Sequence, residues 1–218
     1  MKTITVKCMG QISAPVDTVE LSFRLWEKNK SYEKALSGAD RKVDALEKAL
    51  TAAGFGPEDF QTAGFHVNTE YEGVRDENGE YRNVFSGYVC SYEQRLCFPF
   101  DTARLAEALA AVSASKSKPE FSVGFTVKEP ERLKDRLLEQ AAQSARARAE
   151  ILCGASGVSL GSLQHIEYDV SHLNFRSETM MDMDCAEPMM AKRSRMAANL
   201  RPRDIDLQDS AVFTWELV

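Results

Sequence analysis

One serine motif in the chain could in principle support catalysis. Residues Gly157-Val158-Ser159-Leu160-Gly161 match the G-x-S-x-G pattern of the nucleophile elbow in serine hydrolases. In that elbow a strand precedes the serine and a helix follows it, so that the serine oxygen is raised on a strained turn. Here the residue pattern predicts a helix before Ser159 and a strand after it, which is the reverse order. We therefore predict no catalytic residue, and a hydrolase with an unrecognised site is the least favoured interpretation.

The histidines and cysteines do not have metal-binding spacing. No two of His66, His165 and His172 stand four residues apart, and the five cysteines include no C-x-x-C pair. An odd number of scattered cysteines is typical of reduced thiols that pack as small hydrophobic side chains. No P-loop or dinucleotide-binding glycine pattern is present. We predict neither a metal nor any other cofactor. The cysteines are Cys8, Cys90, Cys97, Cys153 and Cys185.

The segment 171–202 differs in composition from the rest of the chain. It contains six of the eight methionines, its first half is acidic and its second half is basic, and no clear period runs through it. An irregular insertion of about 30 residues in a compact domain is typical of a functional loop, an interface arm or disorder. Its methionines are Met180, Met181, Met183, Met189, Met190 and Met196.

We interpret this insertion as an interaction surface. Methionine is flexible and adapts to interfaces, and oppositely charged blocks can pair reciprocally with a symmetry-related copy. We therefore predict that the insertion contacts a second copy of the chain, giving a homo-oligomer, or a partner protein. The residues predicted to form this interface are Met180, Met181, Met183, Met189, Met190, Arg193 and Arg195.

The composition of the insertion admits two other interpretations. Its methionines together with Cys185 could hold a soft metal such as Cu(I), because thioether and thiolate ligands suit that ion; a soft-metal or redox-binding protein is therefore the alternative function. The basic run from Lys192 to Arg203 has five basic residues and no acid. Nucleic-acid sites normally add aromatic side chains for stacking, and this run has none, so we predict no nucleic-acid partner.

Periodicity in the rest of the chain predicts the elements of a folded domain. Apolar residues at steps of three and four predict helices, with stripes such as Leu36, Val43, Leu46 and Leu50 facing the core. Alternation predicts strands, most clearly from Phe121 onwards. The predicted helices are 31–53, 101–114 and 130–153, and the predicted strands are 3–9, 17–27, 61–71, 84–98, 121–127, 161–170 and 205–217.

The order of these elements is ββα-ββ-αβ-αββ. Strand pairs interrupted by single amphipathic helices are typical of the α+β class, in which helices pack on antiparallel sheet. We predict an antiparallel β-sheet covered by three amphipathic helices. The chain is expected to be a single domain of residues 1–218, with the irregular Met-rich charged insertion at about 171–202.

Composition narrows the class of protein. The 218 residues are 44% hydrophobic and 28% charged, with a net charge of −6, which is an ordinary globular profile. No run of about 18 apolar residues is present, so we expect no membrane span. The first residues, MKTITVKCMGQ, lack the apolar stretch of a signal peptide, and we expect the protein to be cytoplasmic.

Four motifs, in the same order along the chain, resemble one family. They are the strand entry Ala14-Pro15 with Asp17-Thr18-Val19-Glu20-Leu21; the helix exit Ala53-Gly54-Phe55 with Asp59-Phe60-Gln61-Thr62; the pair Gly87-Tyr88; and Ala141 to Glu150 (AAQSARARAE) followed by Gly157-Val158-Ser159-Leu160-Gly161. These residues are similar to those of SIMPL-domain proteins, which include bacterial periplasmic stress-associated and immunogenic proteins and an animal kinase-associated protein. The resemblance covers nearly the whole chain.

The resemblance implies an α+β domain with no established catalytic activity. Some relatives assemble into large ring-like oligomers, so it also favours self-association. Many bacterial relatives are exported, and the cytoplasmic expectation departs from that pattern. From the residues and the resemblance together, we predict a non-catalytic, self-associating scaffold or interaction protein, with a stress-related role implied by the resemblance alone.

Overall fold

The computed structural model describes residues 2–75, 80–169, 172–183 and 200–218, with the main chain alone at 181–183. Within those ranges the chain forms three α-helices, eight strands and one short 3-10 turn. The helices are α1 (Tyr32–Ala52), α2 (Thr102–Ala114) and α3 (Pro130–Ala155). The strands are β1 (Thr3–Ala14), β2 (Thr18–Asn29), β3 (Phe60–Arg75), β4 (Tyr81–Pro99), β5 (Glu120–Thr126), β6 (Leu160–Glu167), β7 (Met181–Met183) and β8 (Ile205–Leu217).

The α+β prediction and the predicted order of elements are confirmed. Each predicted helix and strand has a counterpart in the structure, and β7 is an additional strand within the insertion. Several boundaries differ from the prediction, among them those of β1 and α3. Strand β1 continues through Ser13 to Ala14, so Pro15 ends it, and α3 continues through Gly154, so only Gly157 follows it with a positive φ of 70°. In the described part of the chain, no helix combines the length and the apolar content needed to cross a membrane.

The strands form two sheets, and the chain divides into two compact units. The first unit contains Met1–Val16, Thr126–Glu178 and Arg203–Val218, and its sheet has the order β1-β8-β6 with antiparallel pairing. The second unit contains Asp17–Phe125 and Thr179–Pro202, and its sheet has the order β3-β4-β2-β5-β7. The single-domain organisation expected from the sequence stays a prediction.

In the first unit, α3 lies very close to its sheet. Small buried residues of the helix, Ala145 and Ala149, pack on the core that includes Phe213 and Trp215. A Cβ atom at Gly10 would overlap the carbonyl oxygen of Leu137 in the helix. The absence of a side chain at this position of β1 is therefore what permits the close approach of strand and helix.

In the second unit, α1 packs on β2 and β4, and α2 packs beside α1. The alternation of β2 turns Val19, Leu21, Phe23 and Leu25 into the core, as its sequence predicts. From the helix side, Leu46 is fully buried. These contacts make β2 and β4 the rigid centre of the five-stranded sheet.

The ends of the two helices of this unit are tied together. Asp101 caps α2, because its carboxylate accepts hydrogen bonds from the main-chain N–H groups of Ala103 (2.7 Å) and Arg104 (3.3 Å). The Arg104 guanidinium then donates to the carbonyl oxygens of Ala53 (3.2 Å) and Gly54 (2.5 Å) at the end of α1. The two carbonyl groups that directly follow α1 thereby gain a side-chain donor from α2.

Candidate interaction surface

The outer half of the β3–β4 hairpin is the most exposed regular structure among the described residues. We call residues 69–75 and 81–86 the distal ribbon; all of them are exposed except Ser86, which is half-buried. Because side chains alternate along strands, the cross-strand pairs divide between two faces. Tyr71 faces Phe85 on one side of the ribbon, and Glu72 faces Val84 on the other. The two faces have different chemistry.

One face presents a row of aromatic rings, which we call the aromatic ladder. Tyr71 and Phe85 have ring centroids 6.0 Å apart, and Phe85 lies 5.2 Å from Tyr88. Tyr88 in turn lies 5.9 Å from Tyr32 of α1, and every one of these contacts is edge to face. At the outer end, the Arg75 guanidinium lies 4.8 Å from the ring centroid of Tyr81. Exposed fractions of 71% for Tyr81, 59% for Tyr71 and 40% for Phe85 leave large ring surfaces in water.

The opposite face carries a cluster of paired charges beside the exposed Val74 and Val84. Lys28 Nζ lies 2.8 Å from Glu70 Oε2 and 3.1 Å from Glu72 Oε1, and the Ser86 hydroxyl donates to Glu72. The hydrogen bonds that Lys28 donates to Glu70 and Glu72 raise the pKa of Lys28 above its usual value. The hydrogen bonds that Glu72 accepts from Ser86 and Lys28 lower the pKa of Glu72. The charged groups of this cluster are therefore paired within the chain, whereas the ladder face presents exposed aromatic rings.

The inner end of the ladder is anchored to α1. Tyr88 and Tyr92 pack against a buried cluster that contains Ala35, Ala39 and Cys90. The Tyr92 hydroxyl donates to Asp40 Oδ1 at 2.8 Å, and this bond raises the pKa of Tyr92 to about 12. Because the hairpin is fixed to a helix at this end, the ribbon holds its rings in a defined arrangement.

Desolvation and the nearby Asp40 carboxylate raise the pKa of the buried Cys90 thiol. Cys90 is therefore a neutral core residue and not a nucleophile. Cys8 and Cys153 are also buried, as expected for structural thiols.

Strand β3 is the outermost strand of its sheet as the described residues form it. Its pairing with β4 is interrupted at Thr62/Gly64 and at Glu70/Tyr71. The second interruption adds a residue to β4, between Phe85 and Gly87, so β3 itself is regular from Gly64 to Arg75. A regular exposed edge strand offers its main-chain N–H and C=O groups to another strand.

A mixed-charge cleft of about 340 Å³ lies elsewhere on the five-stranded sheet. The pairs Ser22↔Arg95 and Arg24↔Glu93 place four polar side chains of neighbouring strands on one face. Acidic and basic groups alternate across this face, with Arg95 Nε 3.8 Å from Glu20 Oε1. The Ser22 hydroxyl donates to Glu20 Oε1 at 3.3 Å, so the polar groups of this face pair with one another as on a solvated sheet surface with compensated charge. Its lining residues are Ser22, Phe23, Arg24, Ala63, Glu93, Gln94, Arg95, Glu120, Phe121 and Ser122.

The residues predicted to form an interface from the insertion are only partly described. Met180 is exposed, with 55% of its surface accessible. Met181 and Met183 belong to β7, whose main chain pairs with Val123 and Phe121 of β5. The other four predicted residues, Met189, Met190, Arg193 and Arg195, lie outside the described residues, as does Cys185. The interface role of the insertion therefore stays a prediction.

The structure gives the serine motif the context that its sequence predicts. Ser159 follows α3 and precedes β6, and its main chain exchanges hydrogen bonds of 2.8 and 3.0 Å with Val218. Ser159 therefore lies in a turn fixed by strand-like main-chain pairing, and this turn is not a nucleophile elbow. Among the described residues, no three histidine, cysteine or acidic side chains form a group that could hold a metal ion.

Sequence reasoning missed the aromatic ladder. The alternation of Phe65, Val67, Thr69 and Tyr71 predicts a strand, but it does not show which aromatic residues of the next strand these side chains meet. Strand 84–98 was predicted to begin after Tyr81, so the outer pairs of the ribbon were not assigned. An alternating aromatic strand on both sides of the Asn78-Gly79 turn is the signal that could have found this surface.

The chain is similar to known proteins over nearly its whole length. The family model SIMPL, described as "Protein of unknown function (DUF541)", matches residues 4–215. The chain is also 26% identical over 215 residues to "Uncharacterized protein YggE" of Edwardsiella ictaluri, a match that covers 95% of this chain and 84% of that protein. Because the family model spans almost the entire chain, the protein belongs to the SIMPL family.

Proposed function

We propose that this SIMPL protein is a non-catalytic scaffold that associates with copies of itself through the distal ribbon. The observation that carries the proposal is the exposed aromatic ladder of Tyr71, Phe85 and Tyr81 on the β3–β4 hairpin, whose strand β3 lies at the edge of its sheet. Large aromatic side chains contribute strongly to interfaces when they are buried there, and a contiguous exposed set of them is unusual on a monomer surface.

A second copy of the chain is the occupant that best suits an edge strand. The main-chain groups of β3 are self-complementary, because the same strand in a second copy offers the same donors and acceptors in reverse order. The opposite face of the ribbon carries the Lys28–Glu70–Glu72 cluster, so the aromatic contribution to association comes from the ladder face.

The surroundings of the potential reactive groups support the non-catalytic part of the proposal. The Cys90 thiol is buried and neutral, and Ser159 lies in a strand-paired turn. The description of the family assigns no reaction to it. The stress-related role, the cytoplasmic location and a contribution of the insertion to assembly are predictions that accompany this proposal.

The molar mass of the protein in solution tests the proposal. We expect light scattering to give an oligomer for the wild type and a lower mass for a Tyr71→Thr/Phe85→Thr variant. The loss of two partly buried rings is expected to weaken association about 100-fold, since burying an aromatic side chain contributes ~1.5–3 kcal/mol and ~1.4 kcal/mol corresponds to a factor of ten.

A matched control lies on the same ribbon. Val84 is 50% exposed and lies on the opposite face, so Val84→Thr should leave the mass unchanged. Circular dichroism of both variants shows whether they are folded. A wild-type protein that is monomeric across a wide concentration range would disprove the scaffold function.

A further inference from the structure

The edge position of β3 leads to a specific geometry for the complex between two copies. This step rests on the proposed function, because it assumes that copies of the chain meet. When two identical strands pair antiparallel about a two-fold axis perpendicular to their sheet, each residue lies opposite one of the same parity. Odd-numbered residues such as Phe65 and Tyr71 therefore meet odd-numbered ones, so the ladder faces of the two copies join.

Repulsion between glutamates disfavours a two-fold axis through Glu70, Tyr71 or Glu72. An axis through Glu70 or Glu72 would place each glutamate opposite its own copy, and an axis through Tyr71 would place Glu70 opposite Glu72. Like charges directly opposite each other destabilise a sheet. The bulge between Thr62 and Gly64 limits the inner side, because regular pairing stops there.

An axis through Asn68 satisfies both limits and brings complementary residues together. It pairs the nine residues from Gly64 to Glu72, which are the regular part of β3 up to its second glutamate. Phe65 then lies opposite Tyr71, and His66 lies opposite Glu70. Aromatic pairs and pairs of basic and acidic side chains are favourable cross-strand neighbours. An axis through Thr69 would instead place Phe65 opposite Gly73.

This register also extends aromatic contacts already present in each copy. The ring centroid of Phe65 lies 4.7 Å from that of Tyr92 on the neighbouring strand β4, and the ring centroids of Tyr71 and Phe85 are 6.0 Å apart. Placing Phe65 opposite the second copy's Tyr71 joins these two contacts into a row of four rings that crosses the junction. The two-fold axis generates a second row on the other side of Asn68.

We propose that two copies of the chain pair β3 with β3, antiparallel, about a two-fold axis through Asn68. The main-chain groups of β3 supply the hydrogen bonds between the two strands. The two aromatic rows cover one face of the joined sheets, and the His66–Glu70 pairs flank the axis on the other face. The partner that this surface takes is therefore a second copy of the same chain.

Cysteine cross-linking tests this register. Directly opposed residues of antiparallel strands have Cα atoms about 4.5–5.5 Å apart, within the range of a disulfide. Asn68→Cys, in a background with Cys97→Ser and Cys185→Ser, should therefore form a covalent dimer on mild oxidation or with a short bis-maleimide. Glu72→Cys is the matched control, because its two copies would be about 27 Å apart at ~3.4 Å per residue and should not cross-link.

Each result of the cross-linking has a definite meaning. Efficient linkage at Asn68→Cys with none at Glu72→Cys supports the register. Linkage at Glu72→Cys, or equal linkage at both, overturns it. An oligomeric mass with no linkage at either position also overturns it and leaves the scaffold function standing, whereas a monomeric mass disproves both proposals.

Exchange of the charged pair is a second measurement. His66→Glu should weaken association at least tenfold, because a glutamate would then face Glu70 of the second copy. The double variant His66→Glu/Glu70→His should recover most of the affinity, since each copy again presents one acid opposite one base. Failure of the double variant to recover, when both variants are folded, contradicts the pairing.

Discussion

The Tyr92 hydroxyl donates a 2.8 Å hydrogen bond to the Asp40 carboxylate and so links β4 to α1 at the base of the aromatic ladder. This bond, together with burial, raises the pKa of Tyr92 from 10.0 to about 12. In the unfolded chain the same phenol would lose its proton near pH 10. Deprotonation of Tyr92 therefore occurs more readily in the unfolded protein than in the folded one.

The first prediction concerns stability at high pH. A group with a raised pKa contributes stability that is complete below its unfolded pKa and is lost as pH rises through its folded pKa. The stabilising contribution of Tyr92 should thus be present below pH 10 and disappear between about pH 10 and 12. Urea unfolding at a series of pH values should show that the free energy of unfolding declines more steeply with rising pH for the wild type than for Tyr92→Phe.

Asp40→Asn separates this bond from general alkaline unfolding. Without the carboxylate the pKa of Tyr92 should fall back towards its ordinary value, and the near-ultraviolet tyrosinate signal should appear at lower pH than in the wild type. Tyr92→Phe lacks this phenol and so identifies its part of the signal. Identical tyrosinate titrations of the wild type and Asp40→Asn would show that the bond has no effect on the phenol.

The second prediction uses two glycines with opposite surroundings. A Cβ at Gly10 would overlap the Leu137 carbonyl, so Gly10→Ala must push α3 away from β1 and should destabilise the protein by about 1–3 kcal/mol or more. Gly154, near the end of the same helix, has no atom within 4 Å of an added Cβ. Gly154→Ala should stabilise the protein by about 0.5–1 kcal/mol, since alanine favours helix more than glycine does.

Thermal unfolding of these two variants should therefore shift in opposite directions. The comparison is useful because both substitutions add the same methyl group to elements of the same unit. If Gly10→Ala melted at or above the wild-type temperature, the close packing of β1 against α3 would be wrong.

How much of this structure the sequence predicts depends on the length of each pattern. The stripe that includes Leu46 and Leu50 spans several turns, and it predicts both α1 and the face it buries. The Asp101 cap is equally local, because a carboxylate before an apolar periodic run satisfies free N–H groups within two or three residues. The predicted helices at 31–53 and 101–114 are confirmed for that reason.

The features of the structure that the sequence does not predict depend on which strands are neighbours. Alternation shows that Val19 and Phe125 face a core, but it does not show that β1 and β2 belong to different sheets. The meeting of Tyr71 and Phe85 depends on an added residue in β4, which alternation alone cannot place. Strand β7 has three residues, too few to show a period.

The third prediction tests the core of the five-stranded unit. Leu46 is fully buried between α1 and the sheet, so Leu46→Asp places a charge where no solvent reaches and should cost more than about 4 kcal/mol. If that variant does not fold, Leu46→Ala should still fold with a loss of about 2–5 kcal/mol. Leu152→Asp is the control, because Leu152 is 51% exposed and should change stability little.

Unfolding in urea, followed by circular dichroism, measures these differences. A Leu46→Ala variant with the wild-type midpoint would contradict the burial of this residue. A large loss in Leu152→Asp alone would place the principal apolar contacts elsewhere.

The last prediction concerns the cap of α2. The Asp101 carboxylate accepts from the N–H groups of Ala103 and Arg104, and the Arg104 side chain in turn donates to the end of α1. Asp101→Ala leaves both N–H groups without that acceptor and should lower the free energy of unfolding by about 1 kcal/mol, within the usual 0.5–2 kcal/mol for a lost cap. Asp101→Asn keeps an acceptor oxygen and should stay close to wild type. Because the asparagine removes only the charge, equal losses in the two variants would mean that attraction to the helix dipole, and not the hydrogen bonds, stabilises this end of α2.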